Sequence, residues 1–568
     1  MRFFRRRKTT HEIAPDEIFL DSSNLPGHNA SQFEGRVVRA LSSRAVIAVG
    51  LVFILIALAF GVRAFSLEVV DGAEYADVSR NNTLDRTIVF ATRGLILDRN
   101  GRELAWNEVE SGSAASSSVF ALRKYTALPG LAHVLGFIQY PKADSKGNWW
   151  REEFVGKSGV ELAFNGVLRG INGSSMVETD ARQKVQRENI VEPAEHGVDL
   201  TLSIDADVQS ALYRILSQKA REQNYQGGAA VIMDVRTGAL LAITSFPEYD
   251  NDAFNEGDTA VVRATLTDPR TPLLDRAISG QYAPGSIMKL IFAAAALNEH
   301  IISPDKKILS TGAIKLPNPY DSAHPSIFPD WTVHGWIDLR EAIAVSSDEY
   351  FYTVGGGFGD ILGLGIQKIA KYLSAAFANK KLGIDIGGEE AGFVPTPEWK
   401  ERTRGEPWYQ GDTYNTSIGQ GDLLVTPLWL NTYVSAVANG GTIWRPQVAQ
   451  KIITTDGQEL QVFEPQKLGK LPFDQASIDE VHSDMRETVL TGTAKLLQDV
   501  PVAVSAKTGT AEVIKGRRIN ALFTAFAPSD NPTLSITILV EGSASNEGYA
   551  IRVANTVLKW WFDPNRAH

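Results

Sequence analysis

The sequence predicts a mixed α/β chain in which one apolar helix precedes a small β-rich module and a large domain with an antiparallel sheet. Two observations predict the large domain: strand-like runs occur near its start and again near its end, and long helical stretches lie between them. A third observation, an uncharged apolar run near the N-terminus, predicts the single helix. With 568 residues, the chain is long enough for more than one domain.

Composition excludes several classes of function. Hydrophobic residues make up 44% of the chain and charged residues 21%, as in ordinary globular proteins. The net charge of -10 provides no large basic field, so we expect no nucleic-acid partner. The chain has no cysteine, which rules out disulfides, cysteine nucleophiles and thiolate metal sites.

The apolar run covers residues 45–62 and follows a basic tail, residues 1–44, that we expect to be disordered. Eighteen apolar residues are just enough to span a bilayer, and a buried core helix would be amphipathic. A cleaved signal peptide fits less well, because the lead of 44 residues is long and no clean small-x-small site follows. Eight Lys and Arg residues precede the run. The sequence therefore predicts a single-pass plasma-membrane anchor with a cytoplasmic N-terminus and an extracytoplasmic remainder.

Residues 63–195 form the predicted β-rich module. Short apolar strands surround residues 93–94 and end in an Asn100-Gly101 turn, and a helix is predicted from residue 156 to 168. No catalytic constellation is visible here. The charged residues of this module are expected to hold it together: Arg93, Asp98, Arg99 and Glu161. A linker at residues 192–197 separates it from the large domain, residues 196–568.

In the large domain, strands from the beginning and from the end of the domain are predicted to form one sheet. It begins with a strand at 198–205, a helix from about 206, and a hairpin of residues 228–234 and 239–245. Strands return at 502–511, 522–527 and 534–540, and a helix at 550–562 ends the domain. The order of strands, helices and strands favours an antiparallel sheet with a helical subdomain.

A serine and a lysine at helical spacing are the first candidates for chemistry. Pro284 and Gly285 predict a turn, so Ser286 should begin a buried helix with Lys289 one turn further on the same face. A serine needs a base to become a nucleophile, and a lysine desolvated by burial can serve as that base. A capping serine beside a surface lysine is the alternative interpretation of this pair alone.

Two later motifs change that interpretation. Ser346-Ser347-Asp348 follows the first pair, and Lys507-Thr508-Gly509-Thr510 lies on an apolar strand near the end. Alternation places Lys507 and Gly509 on one face of this strand, where a glycine allows close approach to the nucleophile helix. Ser-x-x-Lys, Ser-Asp-Asn and Lys-Thr-Gly, in this order, are the motifs of penicillin-binding proteins and serine β-lactamases.

From the anchor to the C-terminus, the chain resembles the class B penicillin-binding proteins. Residues 93–101 match their pedestal motif, residues 272–286 the approach to the nucleophile, and residues 417–421 with 426–427 another typical segment. Finer matches to the elongation type are residues 334–343, residues 408–415, and Asp348 where other members have Asn. The resemblance implies the fold of penicillin-binding transpeptidases and serine β-lactamases, and it makes residues 63–195 the pedestal.

Two departures from the family pattern bear on partners and metals. The pedestal is short between Asn107 and Leu128, which indicates loss of a head subdomain that contacts morphogenetic partners. Some relatives also carry a zinc-site cysteine where this chain has Ser347. Four residues nearby could cluster as hard ligands, although we favour a plain loop and expect neither metal nor cofactor: Asp321, His324, Asp330 and His334.

The resemblance implies a peptidoglycan D,D-transpeptidase whose acyl-enzyme forms on Ser286 with release of the terminal D-Ala of a stem peptide. Lys289 would take the proton of Ser286, and Ser346 would relay it to the leaving amine. Lys507 would fix Ser346, while Asp348 would contact Lys289 or the peptide amide. The backbone N–H groups of Ser286 and Thr510 would form the oxyanion hole. The substrate carboxylate would bind along the third motif, at Thr508, Gly509 and Thr510.

The family implies further partners and leaves two alternatives for the function. β-Lactam antibiotics would acylate Ser286, and a RodA-type polymerase of the SEDS family would contact the span and pedestal. The enzyme alternative is a carboxypeptidase or β-lactamase that passes the acyl group to water, although no motif supplies a deacylation base. The non-enzymatic alternative is a β-lactam sensor or scaffold, but the 44-residue tail offers no output domain.

Overall fold

This computed structural model of the protein describes residues 42–75, 84–109, 120–145, 148–179, 185–317, 324–514, 518–543 and 548–565. Most of the predicted basic tail therefore lies outside the described residues, as do Asp321 and residues 110–119 of the shortened pedestal segment. The chain divides into two compact units. The smaller consists of Met1–Asp85 with Val177–Arg187, and the larger of Arg86–Met176 with Glu188–His568.

The smaller unit contains the long apolar helix α1 (Ser43–Phe65), which continues as a π-helical turn to Val70. Ser42 caps its N-terminus by accepting a hydrogen bond from Ala45 N over 3.2 Å. All its side chains are exposed, which suits a surrounding bilayer better than a protein core. Among the described residues, it is the one helix long and apolar enough to cross a membrane.

The following helices belong to the larger unit. In chain order they are α2 (Ala132–Leu135), α3 (Gly159–Ala163), α4 (Asn165–Leu168), α5 (Ala206–Gln223), α6 (Asn251–Glu256), α7 (Thr259–Thr267), α8 (Lys289–Asn298), α9 (Leu339–Val345), α10 (Asp348–Gly356), α11 (Gly365–Ala375), α12 (Pro397–Arg404), α13 (Gln410–Ser417), α14 (Pro427–Ala438), α15 (Gln475–Leu490) and α16 (Tyr549–Trp561). Two 3-10 turns, Gly285–Met288 and Lys495–Asp499, accompany them.

The strands are short in the first third of the chain and longest near its end. They are β1 (Leu84–Val89), β2 (Ile96–Leu97), β3 (Glu103–Glu108), β4 (Leu122–Tyr125), β5 (Ile138–Gln139), β6 (Lys142–Ala143), β7 (Trp149–Arg151), β8 (Val155–Gly156), β9 (Gly173–Thr179), β10 (Val185–Glu192), β11 (Asp199–Leu202), β12 (Gly227–Asp234), β13 (Leu240–Phe246), β14 (Ile308–Ser310), β15 (Ala313–Leu316), β16 (Ser326–Pro329), β17 (Gly335–Ile337), β18 (Thr442–Trp444), β19 (Ala449–Ile453), β20 (Glu459–Val462), β21 (Lys467–Lys470), β22 (Ser505–Ile514), β23 (Arg518–Ala527) and β24 (Leu534–Ser543).

A five-stranded antiparallel sheet in the order β13-β12-β24-β23-β22 forms the centre of the larger unit. It confirms the predicted sheet closed by both ends of the domain. Alternate residues of its strands enter two different cores, as the two-residue period of a strand requires. Ala230 and Ile232 pack with α5 and α16, whereas Ala229 and Val231 pack with α8 and α14. The sheet is therefore buried on both faces.

A second sheet has six strands in the order β20-β19-β11-β2-β3-β4. Strand β11 lies inside it, antiparallel to β19 and parallel to β2. Strands β2, β3 and β4 belong to the predicted pedestal, and the other three to the predicted catalytic domain. Because one sheet includes strands from both sides of residue 195, the domain limits stay a prediction.

A buried ion cluster organises the pedestal segment. Glu161 accepts hydrogen bonds from Arg93 Nε over 2.6 Å and from Arg123 Nε over 2.7 Å, and all three side chains are almost inaccessible to solvent. Burial acts to raise the pKa of Glu161, but the charges of Arg123 and Arg93 lower it. The predicted structural role of Arg93 and Glu161 matches this geometry, whereas Arg99 is exposed.

The prediction of one continuous helix over residues 156–168 is wrong. The structure has two short helices there, α3 and α4, which meet at Phe164. The polar groups of this segment bind remote partners: Glu161 O accepts from Arg93 Nη2, and Asn165 Oδ1 accepts from Arg93 Nη1. Such long-range bonds compete with a continuous helix, and no local sequence pattern reveals them.

Candidate active site

Ser286 lies in a tight turn at the start of a buried helix, as predicted. The 3-10 turn Gly285–Met288 leads directly into α8, of which nearly every residue is buried. Gly285 has a φ of +57°, and a Cβ at this position would overlap the Thr510 carbonyl. Gly285 N also donates to Gly419 O over 2.9 Å. These close approaches fix the backbone of the half-buried Ser286 between two other segments.

The second motif occupies a sharp turn between two helices. Helix α9 ends at Val345, and Ser346, which follows it, has a φ of +61°, a left-handed conformation uncommon for residues other than glycine. Ser347 caps α10 and donates its hydroxyl proton to Asp330 Oδ2 over 2.6 Å. The same carboxylate oxygen accepts from Glu349 N over 3.0 Å. Asp330, which lies outside the turn, thus fixes its backbone through these two hydrogen bonds, and Ser346 and Asp348 project from it.

Lys289 binds the second motif through three hydrogen bonds. Its Nζ donates to Asp348 Oδ1 over 2.6 Å, to Ser346 O over 2.7 Å and to Ser346 Oγ over 3.4 Å. The lysine side chain is fully buried, while that of Asp348 is 23% exposed. Within the described chain, no hydrogen bond joins Lys289 to Ser286. Asp348 therefore contacts Lys289, one of the two partners that the sequence leaves open.

Lys507 approaches the same hydroxyl from the opposite strand. Its Nζ donates to Ser346 Oγ over 2.8 Å and to Thr508 O over 3.0 Å. Burial lowers the pKa of Lys507 well below its ordinary value, and the neighbouring charge of Lys289 lowers it further, against the opposing effect of Asp348. Two lysines thus flank Ser346, and the carboxylate of Asp348 pairs with one of them, Lys289.

The third motif lies on β22, the edge strand of the central sheet. Lys507, Thr508, Gly509 and Thr510 pair on one side with β23 residues 521–524. A Cβ at Gly509 would lie 2.9 Å from Pro284 O and 3.0 Å from Ile287 Cγ1, which confirms the predicted close approach to the nucleophile turn. The other edge of β22 can receive an extended peptide as an added strand.

The structure also places residues at the site to which the sequence assigns no role. Gln420 Nε2 donates to Thr510 O over 3.1 Å, and Thr493 Oγ1 lies 2.7 Å from Thr508 Oγ1. Gln420 belongs to residues 417–421, the segment typical of the family. The sequence therefore singles out this segment, but it does not predict that Gln420 binds Thr510. Thr493 follows α15 in an ordinary Thr-Gly-Thr turn, and no sequence signal singles it out.

The suggested hard-ligand cluster does not form a ligand set in the described part of the chain. No group of three or more His, Cys, Asp or Glu residues there is arranged to hold a metal ion. Asp330 uses its carboxylate for hydrogen bonds to Ser347 and Glu349, and Asp330 Oδ1 lies 3.5 Å from His334 Nε2. Asp321, the fourth candidate, is outside the described residues.

Two family models match the chain. The penicillin-binding protein transpeptidase domain matches residues 228–561, and the penicillin-binding protein dimerisation domain matches residues 114–202. Among curated relatives, the peptidoglycan D,D-transpeptidase MrdA of Haemophilus influenzae is 30% identical over 473 residues, which cover 78% of this chain and 69% of that protein. The protein of the same name from Escherichia coli K12 is 25% identical over 584 residues, covering 85% of this chain and 88% of that protein.

Solved structures of the same kind share the fold. Pseudomonas aeruginosa PBP2 bound to WCK 5153 is 29% identical, with a TM-score of 0.68 over 84% of this chain and 97% of that one. Helicobacter pylori PBP2 in complex with MreC is 26% identical, with a TM-score of 0.66 over 84% and 97%. A chain from a peptidoglycan synthase complex that coordinates polymerization and crosslinking is 26% identical, with a TM-score of 0.68 over 92% and 99%.

The antiparallel sheet, with a serine turn beside its edge strand and two buried lysines around a second hydroxyl, defines a serine acyl-transfer enzyme of the penicillin-recognising fold. The chain belongs to the penicillin-binding protein transpeptidase family. It is a D,D-transpeptidase of cell-wall synthesis, of the elongation type.

Proposed function

We propose that this enzyme cross-links peptidoglycan stem peptides through an acyl-enzyme on Ser286. One observation carries the assignment of residues: a single hydrogen-bonded cluster joins Lys289, Ser346, Asp348 and Lys507 beside the serine turn. The cluster lies at the open edge of β22, where a stem peptide ending in D-Ala-D-Ala can bind as an added strand. The third motif would hold its terminal carboxylate through Thr508 and Thr510.

Acylation begins with attack of Ser286 Oγ on the carbonyl of the penultimate D-Ala. Lys289 acts in its neutral form and accepts the serine proton, and the N–H groups of Ser286 and Thr510 stabilise the oxyanion. Ser346 passes a proton to the amine of the departing D-Ala. Its hydroxyl suits this relay because both lysines donate to it, Lys507 over 2.8 Å and Lys289 over 3.4 Å.

Transfer completes the reaction. An amine of a neighbouring stem attacks the ester on Ser286, and the serine proton returns through the same groups. Penicillin presents a strained amide and a carboxylate to these groups, so it acylates Ser286. Its remnant stays attached and blocks the leaving-group side, which makes hydrolysis slow.

Replacement of the nucleophile tests this proposal. We expect Ser286→Ala to abolish covalent penicillin labelling and cross-linking of lipid-linked substrate, because no other hydroxyl occupies the turn. Mass spectrometry of the labelled wild type should place the adduct on Ser286. Ser303→Ala, an exposed serine beyond α8, is the matched control and should label normally. A labelled Ser286→Ala protein would refute the assignment, and release of penicillin within seconds by the wild type would favour the hydrolase alternative.

We further propose the topology and partners of the enzyme. The eight Lys and Arg residues before the apolar run 45–62 support a cytoplasmic N-terminus and an extracytoplasmic catalytic region. A SEDS-family polymerase of the RodA type would contact α1 and the pedestal. Two solved structures of similar proteins support partners of this kind, because one contains MreC and the other is a peptidoglycan synthase complex.

Domain limits are also part of the proposal. We assign residues 1–44 to the tail, 45–62 to the anchor, 63–195 to the pedestal and 196–568 to the transpeptidase domain. The dimerisation-domain match at 114–202 and the transpeptidase match at 228–561 support this order. Because β11 pairs with β2 across residue 195, the last two parts would depend on each other for stability.

A further inference from the structure

The hydroxyl of Thr493 belongs to none of the three motifs, yet it contacts the third. Thr493 Oγ1 lies 2.7 Å from Thr508 Oγ1, within hydrogen-bond distance. Thr493 is exposed and Thr508 half-buried, so the pair lies where solvent and substrate reach β22. The proposed function uses Thr508 to hold the terminal carboxylate, and the following inference rests on that proposal.

The backbone around Thr493 is fixed to the second motif. Thr493 N donates to Ala344 O over 3.0 Å, in the helix that Ser346 follows. A Cβ at Gly492 would overlap the same carbonyl oxygen, so the turn presses directly against α9. Ala494 N closes the turn by donating to Thr488 O over 2.9 Å. The Thr493 hydroxyl is therefore a positioned group that connects α9 with β22.

Two hydroxyls in contact share one proton between their oxygens and leave the other proton free to point elsewhere. When Thr493 donates to Thr508, the proton of Thr508 is free to bind an anion. Thr508 Oγ1, which accepts a hydrogen bond at the same time, becomes a better donor. An uncharged substrate end draws little benefit from this arrangement.

We propose that Thr493 is a positioning residue that orients the Thr508 hydroxyl toward the terminal carboxylate of the stem peptide. It thereby makes the enzyme selective for donors that end in a free acid. Selectivity here means the ratio of kcat/KM for a D-Ala-D-Ala peptide with a free terminal carboxylate to that for the same peptide as its C-terminal amide.

Thr493→Val tests the inference, because valine keeps the shape and removes the hydroxyl. With the full-length enzyme, we expect KM for the carboxylate peptide to rise about 5- to 30-fold with little change in kcat, the effect of a weakened hydrogen bond to a charged group. The values for the amide peptide should stay within about twofold, as judged from the same hydrogen-bond magnitudes. Thr493→Ser, which restores a hydroxyl, should recover the wild-type ratio.

Thr491→Val is the matched control, since Thr491 is an exposed threonine in the same turn and its hydroxyl donates to Glu487 O of α15 over 3.4 Å. The ratio of kcat/KM for the carboxylate peptide to that for the amide peptide should be the same in Thr491→Val as in the wild type. Thr493→Ala gives the same comparison if the valine variant is poorly folded, and saturating penicillin reports the fraction of active protein. Equal losses for both peptides, or no recovery with serine, would overturn the role of Thr493. A wild type that penicillin does not label on Ser286 would instead refute the proposed function.

Discussion

Asp348 is the residue at which this site departs from the commoner pattern of its family. It pairs with Lys289 over 2.6 Å, and in the described structure no other carboxylate is hydrogen-bonded to Lys289 or to Lys507. An asparagine at this position would provide the same oxygen without the charge. The acid therefore contributes charge compensation inside the site, in addition to a hydrogen bond.

Substitutions at position 348 should separate these two contributions. We expect Asp348→Ala to slow penicillin acylation at least tenfold and to lower the free energy of unfolding by about 1–3 kcal/mol, because Lys289 loses a charged hydrogen-bond partner. Asp348→Asn retains an acceptor and should lose clearly less in both. Stopped-flow acylation and denaturant unfolding provide the two measurements.

Asp360→Ala is a suitable control for this pair. Asp360 also pairs with a lysine, Lys306, over 3.2 Å, but its side chain is 83% exposed. An ion pair this exposed to solvent contributes little to stability, so this variant should acylate and unfold almost as the wild type does. If Asp348→Ala behaved like Asp360→Ala, the charge of Asp348 would have no part in the site.

The sequence identifies the motif residues but not how their side chains meet. Spacing places Ser286 and Lys289 on one helix turn, and the motif order brings Ser346 and Lys507 to the same site. The hydrogen bonds of Lys289 to Ser346 and Asp348 depend on a turn more than fifty residues away. Thr493 lies beyond prediction for the same reason, because its partner belongs to another element.

Among the elements, the contact between α9 and α15 contains a titratable group. Asp484 on α15 is fully buried and accepts a hydrogen bond from Arg340 Nε of α9 over 2.9 Å. Burial raises the pKa of Asp484 to about 7. Glu480 of α15 also lies at this contact, 3.5 Å from Arg340. Ser346 directly follows α9, so this contact supports the second motif.

Stability should therefore fall with rising pH through this group. The folded pKa lies above the unfolded one, so the folded protein binds more protons between about pH 4 and 7. That contribution is full at low pH and is lost as pH rises toward 7. We expect the Tm of Asp484→Asn minus that of the wild type to increase from pH 5 to pH 8, as followed by thermal unfolding.

Asp479→Asn, on the exposed face of the same helix, controls for general effects of charge on α15. Its Tm difference from the wild type should be the same at both pH values. A pH-independent difference for Asp484→Asn would show that Asp484 does not titrate between the two states in this range.

Periodicity predicted the strands of the central sheet and the helices that pack near the two ends of the catalytic region, because their patterns are local. The hairpin of β12 and β13, the three last strands and the final helix all appear close to their predicted positions, although β22 begins later and β23 is longer. The prediction of one helix over residues 156–168 failed because Arg93 and Arg123, which lie elsewhere in the sequence, bind Glu161 in the middle of this segment. Non-local electrostatics leave no period in the sequence.

At the scale of the whole molecule, α1 should determine where the enzyme resides. We expect the full chain to stay in the membrane fraction after washes with high salt and carbonate and to dissolve only in detergent, because about twenty apolar residues span the hydrocarbon core. A chain lacking residues 1–70 should appear in the soluble fraction and still react with penicillin.

Protease added to intact spheroplasts tests the proposed orientation. It should remove the penicillin-labelled region while an epitope placed at the N-terminus stays protected. Protection of the labelled region would reverse the topology. A full chain that carbonate releases would contradict a membrane-spanning α1.

The six-stranded sheet has a consequence for how the protein is made. Strand β11, buried at every residue, lies between β2 near residue 96 and β19 near residue 450. A ribosome delivers these neighbours in sequence order, so β11 has an unpaired edge until most of the chain has emerged. Contacts between residues this far apart in the sequence slow folding and leave aggregation-prone intermediates exposed. Biogenesis of this enzyme should therefore depend on chaperones that shield the nascent β11 until its last neighbour arrives.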